Sequence, residues 1–408
     1  MRLIQQLRDG DAVSLERARL WAWALLIGYG ATILYLFATA HGLSDYQGRP
    51  LGSDFSNIYI AGVQANHGHA ADIYDPATHW GAERAFFGAQ TLFYGWHYPP
   101  FLLLIAAPLA HLPYFAALFV WQAVTFALYL GAMALLLRPL KIGASSWLLF
   151  AVAFPAVFAN LLAGHNGFLT AALLAGALAL LDERPWIAGL LFGLLAYKPQ
   201  FGLMIPLALV ATGRWRAIGG AAISVVALCV ICTVLFGVEI WRAFLTSGHF
   251  TRTVVLEQGN TGFYRIQSVF AWVRMWGGPV GLAYAAQSAV TLLCAAVVIH
   301  VWRSDVSQAI KGAALSIAVL LATPYSLDYD LMALAPAIAL LAVDGLAQGF
   351  RPYEKMVIAA LWLTPFLARA LPRLTFLPIA APVMLAALIV TLCYALPRSQ
   401  SRVLLANT

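Results

Sequence analysis

Charge is what this sequence has least of. Only 10% of its 408 residues are Asp, Glu, Lys or Arg, where a soluble domain carries about 25%, so an ordinary water-facing surface is excluded. Cysteine is scarce as well: Cys229, Cys232, Cys294 and Cys393 all fall inside apolar runs. That excludes a disulfide framework, and the redox or zinc spacing of Cys229-Val-Ile-Cys232 reads as packing within a span. The short alternating segments of a membrane β-barrel are missing, and so are an internal repeat and a low-complexity tail. The first twenty residues, MRLIQQLRDGDAVSLERARL, mix both charges without a short apolar core, which argues against a cleavable signal peptide.

What is present is apolar length. Hydrophobic residues make up 62% of the chain and the mean hydropathy is +0.81. Residues 20–40 are uncharged and long enough to cross a bilayer, which takes about 20 apolar residues. Further candidate spans are 113–137, 145–163, 166–181, 186–197, 199–212, 217–236, 279–302, 312–325, 331–347, 357–370 and 375–396. The piece at 99–111 is short and reads as re-entrant or strongly tilted. The expectation is an all-α, polytopic membrane bundle of about twelve spans, with prolines and glycines breaking helices around a cavity.

Basic residues orient it. Four arginines precede the first span, and Arg138/Lys141, Arg184, Arg214/Arg216, Arg303/Lys311, Arg351/Lys355 and Arg398/Arg402 can share their side. The positive-inside rule then places both termini in the cytoplasm. The domain reading is a cytoplasmic segment 1–19, one membrane domain 20–396 with outer loops 41–98 and 237–278, and a cytoplasmic tail 397–408. The net charge of +7 is scattered between spans, so membrane lipids are expected as partners and nucleic acid is not.

Six polar features then fall on the outer face. They are the loop with Asp54, Tyr98-Pro99-Pro100, Gly164-His165-Asn166, Lys198-Pro199-Gln200, the 237–278 loop, and Ser326-Leu327-Asp328-Tyr329-Asp330. Polar groups at one depth of a bundle are costly unless they face water, substrate or one another. One site near the outer leaflet is expected.

An ordered set of short motifs sharpens this. Asp54-Phe55 is followed by Tyr59 and Ala61-Gly62, then Ile73-Tyr74-Asp75-Pro76, Tyr98-Pro99-Pro100, Gly164-His165-Asn166-Gly167, Lys198-Pro199, Thr323-Pro324-Tyr325 and Tyr329-Asp330-Leu331. In that order, over roughly residues 20–345, the chain resembles the polyprenol-phosphate-sugar-dependent glycosyltransferases of family 87. It departs from that pattern at His165, where Gln is usual, and at Leu327-Asp328-Tyr329-Asp330, where histidine is found in some members. The resemblance implies a GT-C fold, an essential aspartate in the first outer loop and mannosyl transfer from a polyprenyl phosphate to a lipid or glycan acceptor. It also implies a bacterial inner membrane with the site facing the periplasm.

The residues support such chemistry on their own terms. Inverting transfer needs a base for the acceptor hydroxyl, and Asp54, beside the small residues Gly52 and Ser53, is the candidate. Its competing role is a helix N-cap, since FSNIYIAGVQA is helix-compatible. The leaving phosphate wants cations. Lys198, with Gln200 close by, is the first candidate, against a lysine that snorkels at the interface. Arg252 and Arg265, like Arg369 and Arg373, run against the charge rule on the outer side, where ordinary headgroup contact competes. Asp328 and Asp330 would bind sugar or acceptor hydroxyls, or simply start a helix. His165 and Asn166 would bind the donor or form a turn. His97 and Tyr98 would line the mouth, or brace the helix start at Pro99-Pro100.

His67, His69, Asp72, Asp75 and His79 offer oxygen and nitrogen ligands in one loop, but a solvated loop face is expected, and no metal or other cofactor. Two other classes stay open: a transporter or flippase for lipid-linked glycans, which broken helices would also serve, and a glycan polymerase or ligase using lipid diphosphates. Neither requires the Asp54 carboxylate.

Overall fold

The computed structural model describes residues 2–11, 13–138, 144–376 and 378–396. Lys141, Arg398 and Arg402, and with them the 397–408 tail, lie outside these residues. The regular structure described is helical throughout, with β-pairing limited to isolated bridges such as Ile266 with Leu327.

The chain begins with α1 (Arg2–Asp9) and the apolar α2 (Leu15–Ala38). The 41–98 loop carries two helices of its own, α3 (Ser53–Asn66) and α4 (Pro76–Phe87). After it come α5 (Leu103–Leu109), α6 (Tyr114–Leu137), α7 (Ala144–Ala153), α8 (Pro155–Ala163) and α9 (Gly167–Leu180). The middle of the chain forms α10 (Pro185–Leu194), α11 (Met204–Ala211) and α12 (Trp215–Phe236), then α13 (Glu239–Phe250) and α14 (Val269–Met275). The last elements are α15 (Val280–Arg303), α16 (Gln308–Leu321), α17 (Leu334–Gln348), α18 (Glu354–Leu367), α19 (Ala370–Thr375) and α20 (Ala380–Ala395).

Among the described residues, five stretches are long and apolar enough to cross a membrane: Leu15–Ala38, Tyr114–Leu137, Trp215–Phe236, Val280–Arg303 and Asp328–Gln348. The other apolar helices are shorter, among them Gly167–Leu180, Gln308–Leu321 and Ala380–Ala395. Burial sorts them. α9, α16 and α17 are buried on nearly all sides, whereas α2 and α12 expose Leu20, Trp23, Ile27, Val226 and Val234. A helix apolar all round belongs either in the core or against lipid, and both kinds occur here.

Small residues set the closest crossings. A Cβ on Gly62 of α3 would sit 2.1 Å from the Ala106 carbonyl oxygen of α5, and one on Gly189 of α10 would sit 2.1 Å from the Ala217 carbonyl of α12. The backbones touch at both places, as membrane helix interfaces built on small residues do.

Two expectations are corrected. The continuous span 145–163 is two helices, because Pro155 has no N–H to donate and holds Phe154 extended at ψ 124. The 237–278 loop is largely helical: α13, a π-helical turn over Thr251–Glu257, and α14. α13 is too short and too polar to register as a span, which is why hydropathy alone passes over it.

Candidate active site

The breaks between helices meet at one end of the bundle. There they enclose a cavity of about 360 Å³ lined from all six polar features. Asp54 and Asn57 come from the head of α3; Tyr94, His97 and Tyr98 from the segment that follows α4. His165 stands at the α8–α9 break, Lys198 and Gln200 at the α10–α11 break, and Thr251, Arg252, Thr261 and Arg265 beyond α13. Tyr325, Leu327 and Tyr329 close it from the approach to α17. Of the residues singled out from sequence, Asn166, Asp328 and Asp330 stand behind this lining rather than in it.

Asp54 is not the cap. The N-cap of α3 is Gly52, in the left-handed region at φ 72, and no side chain caps the helix. Asp54 is the second helical residue, half-buried, where the helix dipole favours a carboxylate. Among the described residues it has no hydrogen-bond or ion-pair partner, and the charges acting on it are Arg265, Asp328 and Arg369. Enclosure away from bulk water pushes its carboxyl up to about 6; Asp328 adds to the rise, and Arg265 and Arg369 oppose it. An acid held near neutrality suits a general base. The base form is the unprotonated one, so activity should rise with pH through about 6 and level off above it. The pH profile of kcat/KM tests this; a profile flat between about pH 5 and 8 would count against it.

Tyr98 is presented by a short relay. The Asn166 N–H donates to His165 Nδ1 at 2.8 Å, so the ring proton must sit on Nε2. Nε2 then donates to the Tyr98 hydroxyl at 3.2 Å. The Tyr98 proton is left free to donate into the cavity. Asn166 itself is fully buried, and its side-chain amide lies beside Tyr98 and His165 without a well-formed hydrogen bond to either.

The cations differ in availability. Lys198, expected to hold phosphate, is 2% exposed, and its ammonium is paired with Asp330. The rings of Tyr329, Phe201 and Tyr197 surround it at 5.2, 5.7 and 6.0 Å. The other Asp330 oxygen accepts the Leu327 N–H at 2.9 Å, so this pair ties the α10–α11 break to the start of α17. Asp328 accepts the Tyr329 N–H at 3.0 Å and faces Arg369 at 3.4 Å. Arg252 is largely exposed and lies 3.5 Å from Glu257. Arg265 is the cavity-lining cation with no ion-pair partner among the described residues, and its Nε, like Thr261 Oγ1, is buried without a hydrogen bond.

The loop of potential metal ligands does not converge. Asp75 caps α4 through the Thr78 N–H at 2.8 Å, and His69 pairs with Asp72 on the surface. His79 is buried against Gln64. Among the described residues no group of three or more such side chains could hold a metal ion.

Sequence reading missed several supports. Asn160 of α8 accepts the Gly167 N–H at 2.8 Å and donates to the Tyr329 carbonyl at 3.3 Å. An asparagine inside an apolar span was the signal that could have found it. Asn57 donates to the Gly95 carbonyl at 3.0 Å, and its place one turn after Asp54 was the hint. Gln267 pins its loop to the Ala368 carbonyl at 3.2 Å; nothing in the local pattern announces it.

Fold and site together define a multi-pass membrane protein with a polar chamber at an end of its helical bundle, lined by a carboxylate and a guanidinium that have no ion-pair partner among the described residues. The sequence model of glycosyltransferase family 87 matches residues 96–324, more than half of the chain, and the chain belongs to that family. It is a membrane glycosyltransferase. No curated protein and no solved structure matches it. Asp54, Asp328 and Asp330 lie outside the matched stretch.

Proposed function

We propose that this protein transfers a hexose, with mannose the leading candidate, from a polyprenyl-phosphate donor to a lipid or glycan acceptor. The cavity would face the outer, periplasmic side of a bacterial inner membrane. The carrying observation is that two opposite charges, neither in an ion pair among the described residues, line one cavity: Asp54 on α3 and Arg265 beyond α13.

Asp54 takes the proton of the acceptor hydroxyl as its oxygen attacks the anomeric carbon. The bond from that carbon to the phosphate oxygen breaks in the same direction, and its electron pair leaves with the phosphate. Arg265, with the hydroxyl of Thr261, receives the charge on the departing phosphate. Tyr98, its oxygen already accepting from His165, donates to a sugar or phosphate oxygen. Lys198 and Asp330 hold one wall, His97, Gln200 and Arg252 line the space for the sugar and acceptor, and Asn166 and Asp328 support that lining from behind. This accounts for placing both charges in low-dielectric surroundings, where each acts more strongly than in water.

The test uses purified protein in liposomes with a panel of radiolabelled polyprenyl-phosphate sugars and an acceptor extract. Wild type should transfer one of them. Arg265→Gln should lose roughly ten- to hundredfold in kcat/KM, the worth of one charge-assisted hydrogen bond. Unchanged transfer by that variant would remove Arg265 from the phosphate. Labelled lipid crossing the bilayer with no transfer would favour a flippase instead.

A further inference from the structure

Behind the cavity wall lies a pair of side chains that the transfer reaction does not use. His79 and Glu83 stand one turn apart on α4, both 0% exposed. His79 Nδ1 is 2.7 Å from Gln64 Oε1 on α3. Nδ1 therefore donates, and Nε2 is left as an acceptor. Nε2 faces Glu83 Oε1 at 3.9 Å, and neither atom has a hydrogen bond among the described residues. The other Glu83 oxygen accepts the Tyr94 N–H at 3.1 Å. Two buried acceptors facing each other are costly, whereas a proton on Glu83 Oε1 turns one of them into a donor aimed at the other, and a shift of about 1 Å closes the hydrogen bond.

What this pair holds is a wall of the site. Residues 92–98 have no helix or ladder of their own, yet Phe93, Tyr94, Gly95, His97 and Tyr98 line the cavity. Side chains do the holding: Trp80 donates to the Thr91 carbonyl at 2.9 Å, Asn57 to that of Gly95, and Tyr74 to that of Tyr98 at 2.9 Å. Glu83 is the group that grips a backbone N–H of this segment from α4.

We propose that Glu83 carries a proton directed at His79 Nε2, and that this proton clamps the Tyr94 wall of the cavity in place. Glu83 and His79 are positioning residues for transfer, and the wall loosens when the proton leaves. The surroundings bear this out. Burial pushes the Glu83 carboxyl up to about 8, against the pull of the Tyr94 N–H and with a further push from Asp54. Burial holds His79 down to about 3, with His97 adding to the effect. The charged and titratable groups facing the pair are thus Asp54 from α3, and Tyr94 and His97 from the wall. Arg84, next in sequence, turns away to the Ala89 carbonyl and the face of Trp80.

Glu83 is raised above its unfolded value, so its contribution is greatest with the proton bound and is lost as pH rises through about 8. The ionised carboxylate would then confront the His79 lone pair and Asp54 without water, and relief requires the α4–wall contact to open.

Glu83→Gln separates the charge from the contacts. Its amide can donate to His79 Nε2 and accept from the Tyr94 N–H, as the neutral acid does, but it does not titrate. Hydrogen exchange of the 91–98 segment in the full chain, corrected for intrinsic rates, is the readout, and it needs no transfer activity. This inference rests on the cavity being the transfer site, but its test does not. Wild type should lose about tenfold in protection between about pH 7 and 9, Glu83→Gln should stay protected throughout, and Glu83→Ala should be unprotected at both. In an Asp54→Asn background, infrared difference spectra against Asp54→Asn/Glu83→Gln should show a protonated carboxyl at neutral pH. Parallel loss of protection in wild type and Glu83→Gln, or no protonated carboxyl, would overturn the proposal.

Discussion

Asp54→Asn should reduce sugar transfer by roughly 10²–10⁴-fold, the contribution of a well-placed general base, while leaving the protein at least as heat-stable as wild type. Both halves follow from the same geometry. Asp54 caps nothing and pairs with nothing among the described residues, and enclosure already disfavours its charge. Asparagine keeps the shape at the head of α3 and removes a carboxylate that was costly to hold there. The outcome to look for is an inactive variant with unchanged or raised thermal midpoint and intact donor binding. Transfer at the wild-type rate by an equally folded variant would move the base elsewhere. Loss of activity together with a lower midpoint would return Asp54 to a structural role.

Lys198→Met should cost about 3–5 kcal/mol of stability, because removing one partner leaves Asp330 as an uncompensated buried charge. Each side chain of this pair is 1% exposed, so solvent does little to screen the loss. The double variant Lys198→Met/Asp330→Asn should recover most of that cost, since replacing both members of a buried pair is often near neutral. The asparagine oxygen can still accept the Leu327 N–H. Thermal unfolding followed by tryptophan fluorescence for wild type, Lys198→Met, Asp330→Asn and the double variant gives the coupling directly. Additive losses with no recovery would show that the two side chains act separately. A fully stable double variant that no longer binds donor would give the ammonium back its role at the phosphate.

The two variants probe the residues that sequence treated most alike and structure treats most differently. Asp54 lay in the polar loop after the first span and Lys198 between two short apolar segments, and each carried a bland alternative. For Asp54 the alternative was a cap, and Gly52 occupies that position instead. For Lys198 it was a snorkelling lysine, yet the ammonium points inward onto a carboxylate 132 residues away. No local pattern records a partner at that separation.

The sequence by itself determined the solvent and the neighbourhood. A chain with so few charges must bury its backbone hydrogen bonds in helices within a bilayer. Its few polar motifs then cannot scatter, because each isolated polar group in lipid is costly. That is why six motifs spread from Asp54 to Asp330 could be assigned to one site before any contact was known. Only the tertiary structure decided how those groups share their charges: which cation is neutralised and which is free, which aspartate faces the cavity and which stands behind it, and that Glu83 and His79 meet at all. Hydrophobic patterning is a property of successive residues and survives in the sequence. The pairing of charges depends on distances of a few ångströms between remote segments, and those exist only once the helices have packed.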